Sequence, residues 1–281
     1  MAFYKMNKLK LCMSGNEGWR IEIPDYPELT QIGSRRCHDE DEKTCLFSQY
    51  GSDPNGQPQF FTATDYQEIV KYAGDKFIEI IPCINMAGQA RAAIVAMEAR
   101  RIARNLVNAT LQDPNLADYA APDHLSPNHL FHYHDANLAR FDPRFVPCRY
   151  KNTGINPCLQ FTYDFFETVV QRLKRYHQQA GYDLKTFDIG GDDTTYGAWY
   201  ASSPACQAKI IRENSTDEID KEMHLKVSYT TEIARLANKH DIDISGIDDY
   251  FTAFPSRIDS RTGPSVPFNT TRGKKLPTCN T

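Results

Sequence analysis

The residues with most capacity for chemistry lie in "FDIGGDDTTYGAW", positions 187 to 199. Gly190 and Gly191 permit a tight turn and close approach of a ligand to the backbone. Asp192 and Asp193 follow them, and two adjacent carboxylates leaving a strand point in different directions. One can orient a ligand amide while the other donates a proton, provided its pKa is raised. The same pair would also serve as a helix N-terminal cap. On the residues alone both readings stand.

Two further stretches carry candidate groups. In "SGNEGWRIEIPDYPEL" (14–29) the indole of Trp19 and the fork of Arg20 are what a pyranose ring needs. They could equally pack and pair inside an ordinary loop, with Glu17 or Glu22 as the partner of Arg20. In "IPCINMAGQARAAI" (81–94) Cys83 and Asn85 end a strand, where a barrel enzyme places its chemistry. Neither has a visible activating base, so a structural role is expected of them. His124, His129, His132 and His134 lack the i, i+4 register of a helical metal pair. They read as a solvated loop rather than a metal site. No cofactor is expected.

The elements that must position these groups alternate. "KLKLCM" (8–13) reads as a short buried strand, 65–75 as a helix, "FIEIIPCI" (77–84) as an inner strand, and 89–107 as a helix. A helix over 161–180 ends at Gly181. "LKTFDI" (184–189) then delivers the Gly-Gly-Asp-Asp turn, a helix spans about 220–239, and "DIDISGI" (241–247) is the next strand. Four strands alternating with helices predict a parallel α/β architecture. Residues 111–157, rich in Pro, Asn, Asp and His, read as a loop insertion within a unit spanning 1–255, and 256–281 as an irregular tail.

A net charge of -4 gives no general attraction to nucleic acid or anionic membrane, and no run approaches the length of a membrane span. The first residues are too interrupted by Lys and Asn to form a signal-peptide core, so the chain is either intracellular or written without its leader. Cys37 and Cys45 flank a short charged loop with no CxxC pair nearby. A disulfide closing that loop is the better reading, which implies an oxidising compartment. Three N-x-S/T sequons, at Asn108, Asn214 and Asn269, are compatible with secretion but common by chance.

The strings "EGWRIEIP", "IGSRRCHD", "ARAAIVAMEAR", "NPCL" and "DIGGDD", in that order, resemble the catalytic domain of glycoside hydrolase family 20, the β-N-acetylhexosaminidases of chitobiase type. The resemblance covers residues 1 to about 250. It implies a (β/α)8 barrel of TIM type, present here only in part, and removal of terminal N-acetylglucosamine from chitin oligosaccharides or glycoconjugates. In that family the sugar's own acetamido oxygen attacks the anomeric carbon, outside the usual two-carboxylate scheme. The family's Asp, which holds the acetamido group, matches Asp192; Asp193 stands where its Glu acid would be. The resemblance also implies a disulfide between Cys158 and Cys206, supports that between Cys37 and Cys45, and suggests a secreted, lysosomal or periplasmic setting.

The departures fall on the chemistry. The family's first loop resembles His-Leu-Ser-Asp-Asp-Glu-Gly-Trp-Arg; here the His is Cys12 and the two Asp are Gly15 and Asn16. In the second loop the carboxylates and His give way to Cys83, Asn85 and Gln89, and in the catalytic strand a His becomes Asp188. The relay that supports the family's acid is therefore altered at every member, which predicts a weak or inactive hydrolase. With two Trp in all, Trp19 and Trp199, the chain also lacks the family's aromatic box. The family's first strand would precede Met1 and its last would follow Thr281. Half a barrel has open edges, so a partner, self-association or a rearranged fold is expected to cover them.

Overall fold

The computed structural model describes residues 1–39, 44–47, 56–100, 154–190, 199, 204–212 and 218–246. Its centre is a four-stranded parallel sheet. We label the strands β1 (Lys8–Cys12), β2 (Glu79–Cys83), β3 (Thr186–Asp188) and β4 (Asp243–Ser245). They pair in chain order, so each crossover joins nearest neighbours, as in a barrel that is not closed. The longer helices among the described residues are α1 (Ala63–Gly74), α2 (91–100), α3 (Gln160–Gln179), α4 (Pro204–Arg212) and α5 (Glu218–Asn238).

Alternation along the strands separates two faces. Ile80, Phe187 and Ile244 point to the helices and are buried. Phe187 meets Phe166 of α3 edge-on at 5.6 Å. The opposite face carries Lys8, Lys10 and Cys12 on β1, Glu79, Ile81 and Cys83 on β2, Thr186 and Asp188 on β3, and Asp243 and Ser245 on β4. It is tied by ion pairs, Lys8 to Glu79 at 3.1 Å and Lys10 to Asp188 at 2.8 Å. The expectation that β1 is buried is corrected: Lys8, Leu9, Lys10 and Cys12 are exposed, because β1 is an edge strand.

Each long helix has a local cause. Thr62 caps α1 in a reciprocal box with Asp65, the acidic start signal visible in the sequence. Helix α3 stops where Gly181 turns left-handed at φ 86°. The short α4 was not foreseen, although Pro204 at its first position is a start signal. Between α1 and α3 the buried Tyr66 hydroxyl meets His177 Nε2 at 2.9 Å.

Disulfides Cys37–Cys45 and Cys158–Cys206 are both formed, with Cα–Cα distances of 5.9 and 5.1 Å. The first closes the charged loop; the second ties the start of α3 to α4. Among the described residues no helix is long and apolar enough to cross a membrane. The four-histidine stretch, the sequons, most of the 111–157 insertion and the 256–281 tail lie outside the described residues.

Candidate active site

Parallel pairing brings every strand's carboxyl end to one edge of the sheet. There Cys12, Cys83, Asp188 and Ser245 form a single registered row across the sheet. Asp188 is buried and holds three donors. Gly190 N–H reaches its Oδ1 at 2.9 Å, while Ser245 Oγ and Lys10 Nζ reach Oδ2 at 2.9 and 2.8 Å. Burial works to lower the Lys10 pKa, but its hydrogen bond to Asp188 and the charges around it raise it overall. In the sequence Asp188 stands only where the family resemblance has a histidine. The alternation in "KLKLC" and "TFD" was the signal that would have put Lys10 and Asp188 on one face.

The loops above this row are fastened to each other. Asn85 donates its backbone N–H to Ser14 Oγ at 2.8 Å and its side-chain amide to Ser14 O at 3.2 Å. Gly190, at φ 69°, lies so close that a Cβ there would collide with Asn85 Oδ1. Only glycine permits that approach. Gln89 holds a left-handed backbone, φ 55°, a conformation that costs a non-glycine residue on the order of 1 kcal/mol. Its carbonyl Oε1 accepts from Asn16 Nδ2 at 2.5 Å, and Asn16 Oδ1 accepts from Arg91 N–H at 3.3 Å. Thus the first and second loops meet through two neutral side-chain amides. A cleft of about 360 Å³ opens over them, with Cys12, Ser14, Asn16, Arg20 and Gln89 in its lining.

Trp19 and Arg20, expected to bind a sugar, are both engaged within the protein. Trp19 is fully buried, its Nε1 donating to Ile21 O at 2.6 Å and its ring against Phe165. Neither indole face is open to a ligand; apolar neighbours and a short bond to the backbone make it a core residue. Arg20 borders the cleft, but its Nη1 donates to Ser34 O at 2.9 Å and Gln59 O at 2.8 Å. The guanidinium is spent on holding the loop. Burial, then the charge of Arg36, lowers its pKa from the ordinary value, with Glu17 opposing. Asn85 and Gln89 fasten the first and second loops to each other. Asp192 and Asp193 lie outside the described residues. Among those described, no group of three or more His, Cys, Asp or Glu side chains could hold a metal ion.

A parallel sheet flanked by helices, with its polar groups gathered at the strand carboxyl ends, defines a barrel-type α/β domain. The family model for the catalytic domain of glycosyl hydrolase family 20 matches residues 1–262, and the chain belongs to that family. It is 35% identical over 225 residues to a β-hexosaminidase of Vibrio vulnificus, covering 76% of this chain and 24% of the relative. It is 39% identical over 198 residues to the N,N'-diacetylchitobiase of Vibrio harveyi, covering 69% of this chain and 20% of the relative. The solved exo-β-N-acetylglucosaminidase of Vibrio harveyi shares the fold, with a TM-score of 0.63 at 24% identity, covering 88% of this chain and 31% of that one. The chain therefore spans only about a quarter of the length of such curated relatives.

Proposed function

We propose that this protein is a β-N-acetylhexosaminidase-like domain that engages glycans ending in N-acetylglucosamine and has lost most or all of its capacity to hydrolyse them. The observation that carries this reading is the Asn16–Gln89 contact. It occupies the place where the family resemblance puts an Asp-supported His beside the acid. Amides preserve a hydrogen bond of that geometry but take up no proton near neutral pH, so they cannot tune the acid's pKa. Asp193, one methylene shorter than Glu, adds a displacement on the order of 1 Å, which can cost ~100-fold in rate. Asp192 keeps the chemistry needed to hold an acetamido N–H. The two disulfides fit a secreted or periplasmic setting.

The test is release of nitrophenol from a nitrophenyl β-N-acetylglucosaminide, together with calorimetric binding of chitobiose, for the parent chain and Asp192→Ala. No release above the variant, with binding that the variant weakens, is expected. Turnover that disappears in the variant would show that Asp193 still serves as the acid. Equal binding by both proteins would remove the sugar site from consideration.

One observation favours a second reading, a structural role through self-association. An apolar groove of about 930 Å³ runs along the outer side of β1, lined by Leu9, Ile69, Tyr72 and Ile78. A second copy seated there would cover the exposed Leu9 and Tyr72. Sedimentation velocity of the parent and Tyr72→Glu separates the cases, since only groove-mediated association is lost in the variant.

A further inference from the structure

Cys12 and Cys83 are the free cysteines among the described residues. They are registered partners at the carboxyl ends of adjacent parallel strands, so both side chains leave the same face of the sheet. Their side chains lie side by side across this strand pair. Neighbouring strands lie about 4.8 Å apart, within the Cα separation that a disulfide spans. The two differ in access: Cys12 is exposed and lines the cleft, whereas Cys83 is buried behind it. Lys10 sits two residues before Cys12 on that face, and Asp188 is the registered neighbour of Cys83 on its other side.

We propose that Cys12 and Cys83 form a reversible dithiol–disulfide pair in the old sugar cleft, reacting with small-molecule disulfides of the glutathione type. Cys12 attacks one sulfur of the small disulfide, forming a mixed disulfide and expelling a thiolate, which takes up the proton that Cys12 released. The Cys83 sulfur then attacks the Cys12 sulfur, and its proton leaves with the second small thiol. Two protein thiols and one small disulfide become one protein disulfide and two small thiols, so atoms and electrons balance.

The surroundings assign these roles. The neighbouring Cys83 thiol, and next the positive charge of Lys10, hold the Cys12 thiol below its ordinary value, against opposition from burial and Asp188. A lowered thiol pKa raises the thiolate fraction available to attack a disulfide. The neighbouring Cys12 thiol, then burial and the charge of Asp188, push the Cys83 thiol up, as suits a resolving group that reacts only when a mixed disulfide is presented to it. A link made between two paired strands has little backbone freedom to relax, so it should be reduced more easily than Cys37–Cys45 and Cys158–Cys206.

The experiment equilibrates the full chain, carrying Cys148→Ser and Cys279→Ser, with oxidised and reduced glutathione at defined ratios. Non-reducing tryptic digestion and mass spectrometry then follow peptide 11–20, which holds Cys12, and peptide 77–91, which holds Cys83. At oxidising ratios the two peptides should appear linked, and native treatment with reduced glutathione should release them while the other disulfides persist. In Cys83→Ser, Cys12 should accumulate as a glutathione adduct; in Cys12→Ser, Cys83 should stay unmodified. Peptides that never link, or Cys83 reacting first in Cys12→Ser, would overturn the proposal. So would a link that resists reduction as strongly as the other two. None of these readouts depends on sugar hydrolysis.

Discussion

Asn16 and Gln89 join the two loops over the sheet edge through neutral side-chain amides. Their bond holds two loops together and needs no charge. That contact makes a prediction about proton affinity rather than turnover. In Gln89→His alone, the introduced imidazole should titrate near an ordinary histidine. With Asn16→Asp added, the carboxylate favours the charged ring and its pKa should rise by about 1 unit. Titration by proton NMR checks this, and identical values in the two variants would mean that the loops do not meet as described. Residue types were legible here: the departures at Asn16, Asn85 and Gln89 could be read from the sequence beside the family pattern. Exposure was not. Trp19 looks the same in a sequence whether its face meets a sugar or Phe165, and only the fold puts it in the core.

At the scale of elements, the periodicities set the four strands and the long helices to within a few residues. What they left out was pairing between elements, because a contact such as Tyr66–His177 spans 111 residues. The His177 ring is buried and shares a hydrogen bond with the Tyr66 hydroxyl at Nε2. Burial holds its pKa down to about 4 from 6.5, more than the Asp183 backbone and the charges of Glu79 and Asp183 recover. The sign follows directly. An unfolded chain takes up the proton below about pH 6.5, and the folded one resists until about pH 4. Stability is therefore unaffected above that window and falls as pH drops through it, by roughly 3 kcal/mol at its lower end. Urea unfolding at several pH values should show the loss, and His177→Gln, which can still hydrogen-bond the Tyr66 hydroxyl but does not titrate, should remove this part of the slope. An unchanged slope would place the acid sensitivity elsewhere.

For the whole molecule the question is how an unclosed sheet avoids joining to others like it. Edge strands with unpaired backbone groups are templates for further pairing, and lysine on the edge is a common defence. β1 has Lys8 and Lys10 alternating with Leu9 and Leu11, and both lysines are anchored inward by Glu79 and Asp188. A chain approaching edge to edge would have to desolvate these cations or break their pairs. This protection is not legible in the sequence, because the ion pairs depend on a register that no local pattern fixes. Lys10 also supports Asp188, so Lys8, bound only at the rim of the sheet, is the cleaner probe. Lys8→Val keeps strand propensity and removes the charge. Its weight-average mass by light scattering should rise with concentration faster than that of the parent, whereas Lys8→Arg should behave like the parent. If Lys8→Val and the parent scatter alike, the edge is protected by something other than its lysines.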